Sequence, residues 1–287
     1  MKIGFDFRMG GSNNAGIGRY SFELLTHLLD EAKAKGSESH QFVVFYHQQN
    51  NTAADLEVLR SKGAELVPAN FRHYSWSEQT AFPKLLNKHN LDLIHFPNFN
   101  VPIFYRGDYV VTIHDVVHHK VSGHKKSRYH KFLAYKFIIN RAVAQSKKII
   151  TVTNAAKQEI IDLLDAPADK ISVTYEAPTP YQGKVANFAD TATQFLLVRP
   201  YLLFVGTLER KKNLINLARG FDKFLGKYKY DLDLLVVGKT DPHYSEIRQQ
   251  MLAIKHSDNL VFTGFVSDAV QASLYQNAFA FITASLH

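Results

Sequence analysis

MKIGFDFRMGGSNNAGIGRYSFELLTHLLDEAKAK, residues 1–35, sets out the fold in one line. Lys2–Phe7 alternates apolar and polar residues with period two, as a strand does. A loop with Gly10, Gly11, Gly16 and Gly18 follows. From Gly18 to Lys35, Tyr20, Leu24, Leu25, Leu28 and Leu29 recur near helical spacing, which gives a helix one apolar stripe to bury. A strand that feeds through a glycine turn into an amphipathic helix is the opening unit of a parallel, helix-covered sheet.

The same rhythm runs outward from this stretch. Strands are predicted at Phe42–Tyr46, Glu65–Val67, Leu91–His95, Tyr109–Ile113, Lys148–Val152 and Ile171–Thr174. Helices are predicted at Ser77–His89, Ser127–Gln145 and Asn154–Leu164, the last with Asn154 as N-cap. From Tyr175 to Pro200 the rhythm stops, and Pro178, Pro180, Gly183 and Pro200 punctuate a polar stretch as in a linker. It then restarts with strands Tyr201–Val205, Leu232–Val237, Leu260–Phe262 and Phe279–Ile282. Helices Leu214–Leu225, Tyr244–His256 and Asp268–Tyr275 alternate with them. The expected fold class is α/β, with two Rossmann-like doubly wound domains: residues 1–176, a linker 177–199, and a second domain 200–287. The second domain reaches four strands where such halves have about six, so it is expected to be incomplete. Phe279–Ile282 is apolar on both faces and calls for cover on both.

Composition narrows the function classes. The 287 residues suit about two domains, and 46% apolar with 21% charged residues is an ordinary globular balance. No run approaches the ~18 apolar residues of a membrane span, and MKIGFDFR lacks the pattern of a signal peptide. With no cysteine, disulfides and thiolate metal sites are excluded, and a cytoplasmic location is expected. The net charge of +8 is uneven: nine Lys or Arg and no acid lie between His118 and Lys148. Aromatic and aliphatic residues interleave with them, so 118–148 reads either as a solvated helical face or as a peripheral contact with an anionic membrane.

Two loops point to phosphate chemistry. Glycines let a ligand approach the backbone, and the helix start that follows offers free N–H groups to an anion. In the first loop, Gly16-Ile17-Gly18-Arg19-Tyr20-Ser21 lacks the third glycine of the dinucleotide pattern. His47, Gln48 and Gln49 stand where its ribose-binding acid would be. A nicotinamide or flavin site is therefore not expected. The second loop, VGTLERKKN (Val205–Asn213), places Gly206 after a strand and Lys211 and Lys212 before a helix, where a diphosphate would sit. It is not a P-loop.

GIGRY, TIHDV (Thr112–Val116), VGTLERKKN, VVG (Val236–Gly238), FTGFVSD (Phe262–Asp268) and ITASLH occur in this order. As a set they resemble the retaining glycosyltransferases of family 4, or group 1, in the mannosyltransferase-like branch. The resemblance spans nearly the whole chain and implies the two-domain GT-B fold, an active site in the interdomain cleft, and no catalytic metal or cofactor. By position it implies that Gly16 and Gly18 face the sugar diphosphate and that His114, followed by Asp115, lies near the transferred sugar. It implies that Lys212 neutralises the leaving diphosphate, with Gly206, Thr207 and Lys211 beside it. Gly238, Phe265 and Val266 match loops that border the nucleoside. Thr207 stands where some relatives have a second diphosphate-binding Arg, and Lys211 replaces an Arg without its bidentate fork. Arg19, His95 and Asn98 are acceptor-side candidates. The implied donor is GDP-mannose, with a UDP-sugar as runner-up; the implied acceptor is a glycan or lipid-linked sugar, with no nucleic acid partner. The family pattern runs on past this motif into E-x7-E, whereas here Ser285-Leu286-His287 is the end. On the resemblance, this chain is expected to be an inactive fragment.

Two rivals stay open at this point. One is a non-catalytic sugar or polyanion binder on the same fold. The other is a metal-dependent hydrolase using the run His114, Asp115, His118, His119, His124, although no H-E-x-x-H pattern accompanies it. Trp76 is expected to be packed rather than free to stack on sugar.

Overall fold

Among the described residues of the first 177, seven strands pair in parallel. In chain order the elements are β1 (Lys2–Asp6), α1 (Gly16–Ala34), β2 (Gln41–Tyr46), α2 (Ala53–Ser61), β3 (Glu65–Pro68) and α3 (Trp76–Lys88). They continue as β4 (Leu93–Phe96), β5 (Tyr109–Thr112), α4 (Tyr129–Gln145), β6 (Lys148–Thr151), α5 (Asn154–Leu164) and β7 (Ile171–Val173). The computed structural model describes residues 1–11, 14, 16–35, 40–116, 129–178, 181, 183–239 and 245–286. The run His118, His119, His124 and much of the basic stretch 118–148 lie outside the described residues. The chain divides into two units, Met1–Ala177 and Pro178–His287.

Strand order in the first sheet is β3-β2-β1-β4-β5-β6-β7. The winding direction reverses between β1 and β4, so the loops leaving their carboxyl ends diverge and open a crevice there. Strand β2 shows why both faces are covered. Phe42 and Val44 pack with Phe5, Phe7, Leu25 and Leu59 on one face, while Val43 and Phe45 pack with Phe82, Ile94 and Phe96 on the other. An uninterrupted apolar run is what a parallel strand buried on both sides requires. Helix α5 is capped one residue before the expected position: Thr153, not Asn154, is the N-cap, its Oγ1 accepting the Ala156 N–H at 3.0 Å. Helix α2 has no counterpart among the predicted elements; Thr52 caps it.

The second unit contains α6 (Phe188–Phe195), β8 (Tyr201–Val205), α7 (Leu214–Tyr228), β9 (Asp233–Val237), α8 (Ser245–Leu252), β10 (Leu260–Gly264), α9 (Asp268–Asn277) and β11 (Ala280–Phe281). Its parallel sheet runs β10-β9-β8-β11, with the same reversal, here between β8 and β11. Helix α6 lies within the stretch read as linker. Asn187 caps it, Phe188 stacks on Tyr201 at 6.5 Å, and Phe195 and Leu197 join the Tyr201–Leu203–Leu274 core. At β11, Phe279 is 75% and Phe281 50% exposed. Beside them an apolar cavity of about 550 Å³ opens, lined by Leu217, Phe221, Phe224, Phe279 and Ile282 among others.

Candidate functional site

In the first unit the chemistry gathers at the β1/β4 reversal. Helix α1 starts at Gly16, which is exposed, and a Cβ there would meet nothing. Gly18 is different. It is buried, its carbonyl accepts the Gly11 N–H at 3.0 Å, and a Cβ would collide with Gly11 O and come within 2.6 Å of Asn14 Cβ. Gly18 lets α1 press against the loop, and only Gly16 presents bare backbone. One turn on, Tyr20 reaches across the edge. Its hydroxyl shares a hydrogen bond with Thr112 Oγ1 at 3.1 Å, and Thr112 Oγ1 meets His95 Nε2 at 2.8 Å. Tyr20 also packs edge-on against His114, with ring centroids 4.6 Å apart.

His114 is held at one ring nitrogen and faces an acid at the other. Its Nε2–H donates to the Pro97 carbonyl at 3.1 Å, and its Nδ1 faces Glu176 Oε1 at 3.7 Å. Topology brings Glu176 there: β5 and β7 flank β6 and all three run the same way, so their following loops share an edge. His95 lies inside this edge. It is 6% exposed, and burial, with a smaller push from His114, lowers its pKa to about 4. A neutral His95 thus anchors the Thr112–Tyr20 relay. Burial, more than the nearby Glu176 charge, raises the Tyr20 phenol above its ordinary value, with the Thr112 hydrogen bond opposing.

In the second unit the corresponding edge is lined with glycine backbone. Gly238, at φ 145°, donates its N–H to Gly264 O at 2.9 Å, and Gly206 donates to Val237 O at 2.9 Å. A Cβ on Gly238 would overlap Gly206 O, so this approach of two loops needs glycine. The chain then makes a short 3-10 turn, Arg210–Lys212, and enters α7 through Asn213, which adopts φ 55° and gives no side-chain cap. The first turn of α7 therefore keeps N–H groups that no cap occupies, and it carries no acid. Lys212 Cε lies 3.9 Å from the Cβ position of Gly206. Lys211 pairs with Glu209 at 3.5 Å, whereas Lys212 has no ion-pair partner among the described residues. A half-buried cation over bare backbone, beside an uncapped helix start, is an anion seat.

A model of Glycosyltransferase Family 4 matches residues 16–177, more than half of the chain. The chain belongs to that family. The remainder agrees: a model of Glycosyl transferases group 1 matches residues 192–287. An uncharacterized glycosyltransferase of Methanocaldococcus jannaschii is 24% identical over 68% of this chain and 50% of its own length. The O-antigen chain mannosyltransferase RfbU of Salmonella typhimurium is 21% identical over 96% of this chain and 73% of its own length. The chain thus spans half of the first relative and about three quarters of the second. The crystal structure of HepE from Anabaena in complex with UDP and glucose shares the fold, with a TM-score of 0.65 at 16% identity over 99% of this chain and 74% of that one.

In this family 4 member, His95, His114, Gly16 and Tyr20 come together in the first unit, and Gly206, Lys212 and Gly238 in the second. Asp115 is exposed beside His114. Arg19 is exposed on α1, and Asn98 Oδ1 is occupied by the N–H of its neighbour Phe99 at 2.8 Å. Thr207 is exposed next to Gly206. Phe265 is 72% exposed, with Lys239 Nζ 4.8 Å above its ring, while Val266 turns inward and joins the Tyr201 core. Sequence reasoning passed over Tyr20 as a site residue, and Glu176 altogether. An acid three residues past Val173, the end of β7, was the available signal for Glu176. Trp76 contradicts its expectation: it is 78% exposed.

Proposed function

We propose that the chain is the nucleotide-sugar and acceptor-binding body of a retaining hexosyltransferase that moves mannose from GDP-mannose to a glycan or lipid-linked sugar. The observation that carries this reading is Lys212, a cation without an ion-pair partner among the described residues, beside Gly206 and the uncapped start of α7. Breaking the anomeric C–O bond leaves extra negative charge on the departing diphosphate. Lys212 and the α7 amides gain more from that charge as it develops than from the intact donor, which is the condition for rate acceleration. Phe265 offers a face on which a nucleobase can stack, under Lys239. In the first unit, Gly16 presents bare backbone at the start of α1, where an oxygen of a bound sugar or phosphate can approach. His114, its Nε2–H held by Pro97 O, keeps Nδ1 to accept a hydroxyl of a bound sugar. Retention follows from same-face attack, with the leaving phosphate assisting the incoming hydroxyl.

Mannose as the sugar is supported by the name of the Salmonella relative; the UDP-bound HepE neighbour supports a UDP-sugar as the competing donor. Helix α4 exposes Leu133 and Phe137 one turn apart, with Lys136 between them. These residues would rest on an anionic membrane at its cytoplasmic face. Among the described residues no helix is long and apolar enough to cross a membrane. The test is calorimetric titration with GDP and UDP. GDP should bind more tightly, and Lys212→Ala should weaken it about tenfold, roughly 1.4 kcal/mol. Equal affinity in the variant rejects the diphosphate seat, and tighter UDP binding rejects the guanine assignment.

A further inference from the structure

The loop from β3 to α3 holds an arrangement that the donor chemistry does not use. Tyr74 adopts φ 63°, a left-handed conformation that costs a bulky side chain about 1–2 kcal/mol. Its N–H donates to Glu78 Oε2 at 2.6 Å. Glu78 is itself fully buried, its Oε1 held by Arg8 at 2.9 Å and by Asn100 Nδ2 at 2.9 Å. Arg8 in turn is clamped by Asp6 at 2.8 Å and lies 4.0 Å over the Phe82 ring. A buried ionic network thus fixes one strained turn of backbone. The product is two large aromatic side chains turned to water, Tyr74 65% exposed and Trp76 78% exposed. Both stand at the carboxyl edge of the first sheet. Tyr135 has Tyr74 and Asp115 among its electrostatic neighbours, which ties this loop to the edge carrying His114.

We propose that Tyr74 and Trp76 form a stacking platform for pyranose rings of an acceptor glycan. Exposed aromatic pairs on a rigid support mark a binding surface, and the apolar face of a sugar ring matches a flat aromatic with polar edges. The rim decides between sugar and lipid. Ser75 and Ser77 hydroxyls, 2.8 Å apart, and Thr80 flank the two rings, and the only exposed charge between 69 and 80 is Arg72. Neutral hydroxyls suit a polyol, whereas an anionic membrane surface would call for a cluster of cations rather than the single Arg72. The proposal rests on the reading of the chain as a sugar transferase and names the acceptor class for it.

Trp76 is the only tryptophan, so its emission reports on this loop. The probes are linear trisaccharides of mannose, glucose, galactose and N-acetylglucosamine. At least one should change Trp76 emission saturably. Calorimetry with that sugar should show Trp76→Ala and Tyr74→Gly each weakening binding about tenfold. Glycine accepts the left-handed turn, so Tyr74→Gly should keep or raise the melting temperature and lose only the ring. The platform is overturned if none of the four trisaccharides alters emission, if both variants bind as the parent does, or if only phosphatidylglycerol vesicles shift it. GDP titration runs in parallel. Nucleotide binding without sugar binding removes the platform and spares the transferase reading; sugar binding without nucleotide binding does the reverse.

Discussion

His95 makes the stability of the first unit depend on pH in a way that one substitution removes. An ordinary histidine titrates near 6.5, whereas burial behind Thr112 lowers His95 to about 4. Between those values the unfolded chain binds a proton that the folded chain refuses. The stabilisation is therefore fully present above the unfolded value and is lost as pH falls from 6.5 toward 4. From pH 7 to pH 5 the loss is about 2 kcal/mol, for a 2.5-unit shift at 1.36 kcal/mol per unit with partial protonation included. At a urea slope of ~2 kcal/mol per molar this moves the midpoint by roughly 1 M. The assay is urea unfolding at pH 7, 6 and 5, followed by circular dichroism, for the parent and His95→Gln. Glutamine keeps a polar atom near Nε2 for Thr112 but takes up no proton in this range. The parent should lose about 2 kcal/mol more than the variant over the interval. Parallel pH profiles would refute the claim that His95 is held neutral by burial.

Other substitutions test the remaining physical claims. Gly18→Ala should cost about 1–3 kcal/mol from its clash with Gly11 O and Asn14, while Gly16→Ala, facing open space, should stay within about 0.5 kcal/mol; urea midpoints of the pair decide it. Arg8→Met should destabilise the first unit by about 3–5 kcal/mol, because it leaves the Asp6 and Glu78 carboxylates buried without their cation. A thermal melt equal to the parent's would show that this network is not needed for folding.

The sheets were readable because a strand buried on both faces has to be an apolar run of a certain length, and Phe42–Tyr46 or Tyr201–Val205 can be little else. What escaped depends on information that is not local. The helix Ala53–Ser61 is short, with only Asp55 and Leu59 buried, so its stripe is too faint to count. The helix Phe188–Phe195 hid between prolines, and only its packing on Tyr201 makes it part of the second unit. Gly16 and Gly18 look alike in sequence, yet one is open backbone and the other a packing surface; the difference is the position of Gly11. Glu176 lies 62 residues from His114, and no spacing rule connects them without the strand order. Trp76 was misjudged because large aromatics usually pack. Its exposure follows from the turn at Tyr74, which Glu78 imposes from inside.

The order of strands in the first sheet also bears on how the protein is made. Lys2–Asp6 sits in mid-sheet, but its partner on one side, Leu93–Phe96, is encoded some 90 residues later, with Ile3 opposite Leu93. At ~5–20 residues per second on a ribosome, that flank of the strand waits roughly 5–20 s for its neighbour. During that interval the bare ladder of Gly4 and Phe5 is a sticky template, and a chaperone acting on this nascent chain would find its work there.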